Sequence, residues 1–393
     1  MTQLRACDQI DRLGSDPHGD ARQRREAERP VAKTPAAGLR TSQPARHPQP
    51  TVKAGALAYL RFERPDLDEA ERFLADFGLR LAERRRDALF FRAAGPQPFC
   101  YVVQRAPVPR FVGFALEVGA RSDLETLRAA VPGASSLESV DEPGGGERVR
   151  LVDPSGFIIE AVQGRVPVTP LPHRAPLAIN TATEHPRINA TQRPEPAPAE
   201  VMKLGHVVLE VAEFQATCAW YTQHFGFIPS DVQVLPDGSP AVVFMRLDLG
   251  DVPADHHTLA LAQGIAPLYS HSAYEVPDLD AVGIGQRVLR ERAWKHAWGI
   301  GRHILGSQIF DYWKDPWGDK HEHYTDGDLF DAVQPMGVHA FHRRAMAQWG
   351  PAMPRSFARP KLSAALIRDA LRNVQRSPDL SVGKLLTIAR LLA

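Results

Sequence analysis

Cysteine is scarce in this chain: Cys7, Cys100 and Cys218 are the three present among 393 residues, and none stand at C-x-x-C spacing. Three thiols cannot build a disulfide framework or a thiolate metal cage, so a reducing compartment, the cytoplasm, is the expected setting. Long apolar runs are also missing. No stretch approaches the ~18 apolar residues of a membrane helix, and the N-terminus lacks the apolar centre of a secretory signal. Nor is there an excess of charge: 47 Lys+Arg against 46 Asp+Glu leave a formal net charge of +1. Nucleic acid and acidic membranes are therefore not expected as partners. What is present, 44% hydrophobic and 24% charged residues, is the composition of a globular chain long enough for two or three domains.

The chain divides by composition. Residues 1–53 are rich in Arg, Asp, Pro, Gln and Ala, show little apolar periodicity, and read as a disordered tail. Residues 167–200 read as a proline-rich linker. Residues 54–166 and 201–335 both alternate apolar strands with amphipathic helices. Residues 336–393 end in two helical patterns, "LSAALIRDALRNVQ" and "LSVGKLLTIARLL", with apolar residues every three or four. This helical extension is expected to pad a domain or join copies of the chain into a homo-oligomer.

The two middle segments repeat one another. One opens "ALAYLRFERPDLDEAERFLADFGLRL" and the other "KLGHVVLEVAEFQATCAWYTQHFGFIP"; each is a strand, a helix and a Phe-Gly helix end. Gly78 and Gly226 suit the left-handed position that closes a helix. Later, "RLVDPSGFIIEAV" matches "DYWKDPWGDKHEHY", a strand, an Asp-Pro-x-Gly turn and a strand holding a glutamate. The pattern predicts an α+β fold of four βαβββ modules, two per segment. At repeat-equivalent places the second segment has His206, His271 and Glu322, where the first has Tyr59, Gly113 and Glu160. Packing alone would not place two imidazoles and a carboxylate on three strands of one copy only.

If the second sheet curls into a cup, inward residues on three strands can meet. Two histidines and one carboxylate on one face of a cation form the facial triad of non-heme Fe(II) sites. Zinc accepts the same donors, and ligand identity does not choose between them. Side chains alternate along a strand, so His321 and His323 face away from Glu322, toward an outer face or an interface. His296 reads as a loop surface residue.

The stretch from Gly301 to Glu322 resembles the ring-cleavage signature of the type I extradiol catechol dioxygenases, in the vicinal oxygen chelate (glyoxalase/bleomycin resistance) superfamily. It runs Gly301, Arg302, His303, a spacer, Tyr312, then Asp315, Pro316, Trp317, Gly318 and Glu322; Asp311 stands where that family usually has a hydrophobic residue. The resemblance spans roughly residues 54–335 and implies two tandem domains with curled, partly open mixed sheets, the first lacking a metal. It implies His206, His271 and Glu322 as ligands of Fe(II), or alternatively Mn(II), with no cofactor beyond the metal. His257, or His256 if the alignment shifts by one, would lie beside the oxygen site. His303 and Tyr312 would hydrogen-bond the substrate oxygens. Trp313, Trp298 and Ile300 are candidates for the substrate wall. The implied activity is ring cleavage of a catechol or trihydroxybenzene by O2. A glyoxalase-like lyase or isomerase is the alternative, disfavoured by the His303–Tyr312 pair; a non-catalytic binding protein is disfavoured by the complete triad.

Overall fold

The computed structural model describes residues 38–357 and 364–392. Each half of the chain contains two βαβββ modules, as the repeat predicts. In the first half these are β1 (Ala54–Arg64), α1 (Leu67–Phe77), β2 (Arg80–Arg84), β3 (Ala88–Arg92) and β4 (Tyr101–Arg105). Then come β5 (Arg110–Val118), α2 (Arg121–Ala130), β6 (Glu138–Ser139), β7 (Glu147–Val152) and β8 (Ile158–Gln163). The second half repeats them as β9 (Lys203–Val211), α3 (Phe214–Phe225), β10 (Ile228–Val234), β11 (Pro240–Arg246), β12 (Ala254–Asp255) and β13 (Leu259–Gln263). It closes with β14 (Leu268–Glu275), α4 (Leu279–Glu291), β15 (Lys295–His303), β16 (Ile309–Lys314) and β17 (Lys320–Thr325).

Local chemistry sets the helix ends. Asp66 accepts from the amides of Asp68 and Glu69 at the start of α1, and Gly78 closes it at φ 107°. Gly226 does the same for α3 at φ 69°. The first sheet has strand order β2-β3-β4-β1-β5-β8-β7-β6. In both halves an antiparallel seam joins the two modules, β1 with β5 and β9 with β14, flanked by parallel pairs. The seams superimpose in register. Tyr59 pairs with Ala115 and Ala115 with Glu160; His206 pairs with Ala273 and Ala273 with Glu322.

The structure corrects one expectation about the chain's divisions and adds detail to two others. The tail expected over 1–53 does not extend that far: the Thr51 and Val52 amides donate to the Gln223 and His224 carbonyls at 2.7 and 3.2 Å. Residues 1–37 lie outside the described residues. The 167–200 segment has no regular structure, as a linker should, yet it is tied down. Leu171 N donates to the Ala94 carbonyl at 2.8 Å, and Arg174 grips Asp278 with both terminal nitrogens at 2.6 and 2.7 Å. The C-terminal extension is not helical from its start. After β18 (Leu329–Phe330), β19 (Gly337–Ala340) pairs with β10 and β20 (Ala347–Trp349) with β15, covering both edges of the second sheet. Strands this short leave no period to read in a sequence. Only then come α5 (Ala364–Arg376) and α6 (Val382–Leu392).

The halves share one core. Phe62, Phe73, Phe77 and Tyr101 of the first pack in the same cluster as Tyr274 and Trp313 of the second. Arg64, 1% exposed, crosses between them: it pairs with Asp315 at 2.9 Å and Asp319 at 2.7 Å, with Phe62 and Trp317 under its guanidinium. Removing one member of a buried pair strands the other charge. Arg64→Ala should therefore cost about 3–5 kcal/mol of stability, read as a lower denaturant midpoint. No helix among the described residues is long and apolar enough to cross a membrane.

Candidate metal centre

His206 comes from β9, His271 from β14 and Glu322 from β17, three adjacent strands of the second sheet. One donor atom from each lies within 4.8 Å of the other two. Glu322 Oε2 stands 3.4 Å from His206 Nε2 and 3.5 Å from His271 Nε2, and Oε1 lies 3.5 Å from His303 Nε2. The carboxylate is fully buried, and neither oxygen has a hydrogen-bond partner. A buried charged group left unpaired is costly. Burial would raise its pKa, but the facing imidazoles, His206 foremost, hold it well below the usual carboxylate range. His271 is pushed well down by burial, against the pull of Glu322. An ionised carboxylate beside a neutral imidazole is the protonation state that binds a cation. The donor set therefore fits a metal.

The first half shows what happens without one. At the place of His271, a Cβ on Gly113 would sit 1.8 Å from the Ile158 carbonyl oxygen, so no side chain fits. Glu160 is instead satisfied by protein: Tyr59 Oη donates at 2.5 Å and Arg61 Nη2 at 3.0 Å, with Arg150 Nε at 3.2 Å.

Around the triad, His257 brings its ring centroid to 4.0 Å from that of His206. His256 does not line the cavity; it joins His257 Nδ1 at 2.9 Å and Asp231 Oδ2 at 2.7 Å. Asp231 also holds His339 at 2.7 Å, and although burial opposes it, these contacts bring its carboxyl down to about 2. Asp231 is thus an acceptor, so His256 carries its proton on Nε2 and takes a hydrogen bond at Nδ1. His257 must then donate from Nδ1, leaving the Nε2 lone pair free. A similar chain orders the other side. His303 Nδ1 donates to the Met346 carbonyl at 2.8 Å, so its Nε2 accepts from the Tyr312 hydroxyl at 2.9 Å. Burial pushes the Tyr312 phenol well up, keeping it protonated.

Of the three candidates for the substrate wall, the structure brings one to the cavity. Trp298 lines it, stacked on Tyr312 at 5.5 Å. Trp313 is fully buried on the opposite face of β16 and donates to Asp311 at 2.6 Å. Ile300 packs toward Ala199, Val276 and Val282, away from the site. Irregular register in β15, between His296 and Trp298 and again between Gly299 and Gly301, hides this facing from simple alternation. His296 is likewise no free surface residue: it lies in β15 and meets Asp311 at 2.7 Å. His321 and His323 do face away from Glu322, into the first half, at Tyr101 Oη and the Phe77 carbonyl. Sequence reasoning missed Asp231, a lone acid in an apolar strand, and the C-terminal wall of Phe341, Met346, Met353, Phe357 and α6. The apolar stripe of α6 was the available signal.

Residues 203–322 match the model of the glyoxalase/bleomycin resistance protein/dioxygenase superfamily. The chain is 30% identical over 329 residues to metapyrocatechase 2 of Cupriavidus necator, covering 82% of this chain and 97% of that protein. It is 26% identical to an iron-dependent extradiol dioxygenase of Rhodococcus jostii, over 75% of this chain and 96% of the relative. Among solved structures, a Mn(II)-bound glyoxalase from Novosphingobium aromaticivorans shares the fold at TM-score 0.67 and 24% identity, covering 80% of this chain and 97% of that one. Homoprotocatechuate 2,3-dioxygenase from Arthrobacter globiformis does so at 0.66 and 20%, covering 80% and 94%. Sustained identity across nearly the whole of a metapyrocatechase, with the His-His-Glu cluster and the His303–Tyr312 pair assembled in the second half, means that this chain belongs to the type I extradiol dioxygenases.

Proposed function

We propose that the chain is an extradiol ring-cleaving dioxygenase that inserts both atoms of O2 into a vicinal aromatic diol, with Fe(II) held by His206, His271 and Glu322. Mn(II) suits the same donors. The observation that carries this reading is the fully buried Glu322 carboxylate, unpartnered and faced by three imidazoles. Iron there would supply a Lewis acid that lowers the cost of ionising the diol and brings it together with O2.

The surrounding residues manage protons. Tyr312 donates to His303, so its oxygen is free to accept from a substrate hydroxyl, opening a route for that proton toward His303 Nε2. The unprotonated Nε2 of His257 accepts a proton on the oxygen side and returns it as the dioxygen bond is cleaved. Trp298 and Tyr312 flank the ring. The ring bond beside the diol breaks and both oxygens stay in the product, so no external reductant is needed. Exposed Ile367 and Leu371 on α5 and Leu386 on α6 support association of copies into a homo-oligomer.

The test is direct. Anaerobically purified protein loaded with Fe(II), given a catechol and O2, should form a yellow ring-opened product with one O2 consumed per diol. An intact diol after loading, with Mn(II) no better, would reject the proposal.

A further inference from the structure

The cavity beside the triad has a volume of about 450 Å³, within the ~300–1,000 Å³ typical of sites for drug-sized ligands. A bare dihydroxybenzene ring fills only a small part of it. His206, His257, His271, His303 and Tyr312 meet at one end, and Gln233, Gln263 and Gln308 are the amides of the lining. The remaining wall is largely apolar: Val208 and Phe244 from the sheet, Met346 and Met353 from the C-terminal loop, Leu385 and Ile388 from α6. Among the described lining residues, Glu210 and Arg355 are the charged ones besides the histidines. Glu210 has its carboxyl pushed up by burial, and Arg355 is already engaged within the protein. An anionic substituent entering here would meet Glu210 and a largely apolar wall, and Arg355, the cationic side chain of the lining, would have to be shared with its present partner to serve as counter-charge. Burying a charge that way is unfavourable.

We infer that the natural substrate is a catechol bearing a bulky, neutral, apolar substituent, an aryl or long alkyl group that lies against the C-terminal wall and α6. The inference rests on the ring-cleaving function proposed above and names its substrate class. The C-terminal extension is then the specificity element: the sheet supplies the ring end of the site, and the extension supplies the substituent end.

The Fe(II)-loaded full chain would be assayed with catechol, phenyl-substituted catechol, hexylcatechol and 3,4-dihydroxyphenylacetate. Each methylene removed from water contributes about fourfold in binding, so the phenyl and hexyl compounds should exceed catechol in kcat/KM by about 10–100-fold. The carboxylated compound should fall below catechol. Ile388→Trp, which fills the far wall, should shrink the apolar preference severalfold, and Glu210→Gln should narrow the discrimination against the carboxylate. A readout independent of turnover uses the metal-free protein: phenylphenol should quench tryptophan fluorescence with a Kd at least tenfold lower than phenol. The inference is overturned if catechol or dihydroxyphenylacetate is the best substrate by tenfold, or if phenol binds as tightly as phenylphenol. If no catechol is cleaved at all, the proposed function fails, while the fluorescence series still decides the nature of the wall.

Discussion

His271→Ala should abolish ring cleavage, with turnover down at least ~10³-fold, because it deletes a first-sphere donor where even outer partners are worth about 10–100-fold. The variant should also emerge from gel filtration with little iron, since the two remaining donors, His206 and Glu322, no longer enclose the ion from three strands. The informative control lies on the neighbouring strand. His323 is as deeply buried as Glu322, but it stacks on Phe77 at 3.9 Å and meets the Phe77 carbonyl at 2.7 Å. His323→Ala should therefore lower stability by about 1–3 kcal/mol, the cost of an unpaired buried group, and leave metal content intact. Iron content by mass spectrometry and the denaturant midpoint separate the two outcomes. If both variants lost metal equally, the assignment of faces along β17 would be wrong.

The second large effect is expected at His257. A side chain that both takes and returns a proton contributes about 10²–10⁴-fold, so His257→Asn should lower kcat by that factor while changing KM less than a few-fold and leaving bound iron unaltered. Burial, with neighbouring histidines, depresses the His257 pKa well below its usual value. The neutral, accepting form is therefore what the site offers at neutral pH. Asp231→Asn tests how that form is set. An asparagine can present its amide to His256 and reverse the hydrogen-bond direction, putting the His257 proton on the wrong nitrogen. The expected loss is smaller, about 10–100-fold in kcat, as for other outer partners. Stopped-flow kinetics with iron-loaded protein would measure both. A His257→Asn variant with wild-type kcat would remove this residue from the mechanism.

The modules and the triad were legible because their signals are local or periodic. Phe-Gly at a helix end, Asp-Pro-x-Gly at a hairpin and alternation along β17 can each be read from a few adjacent residues. Comparing the two copies then converts an ordinary histidine into an exception, which is how His206 and His271 stand out against Tyr59 and Gly113. The wall of the cavity was not legible in that way. Ile300 was misplaced because register shifts in β15 break its alternation with Trp298; Trp313 follows the regular alternation of β16, which turns it to the face opposite Tyr312 and onto Asp311. The contribution of α6 depends on where a terminal helix docks, which its own apolar stripe does not specify. Asp231 and His256 acquire meaning only when β10 and the β12–β13 connection come together.

Arg61 gives the two halves unequal independence from their surroundings. In the first half the countercharge for the glutamate is bonded to the backbone and cannot be washed out, so that half keeps its neutrality under chelation or metal starvation. By the function proposed above, the second half would instead take its positive charge from solution, as the ion held by His206, His271 and Glu322. One inherited architecture thus carries a permanent and a removable solution to the same electrostatic problem, side by side in a single polypeptide.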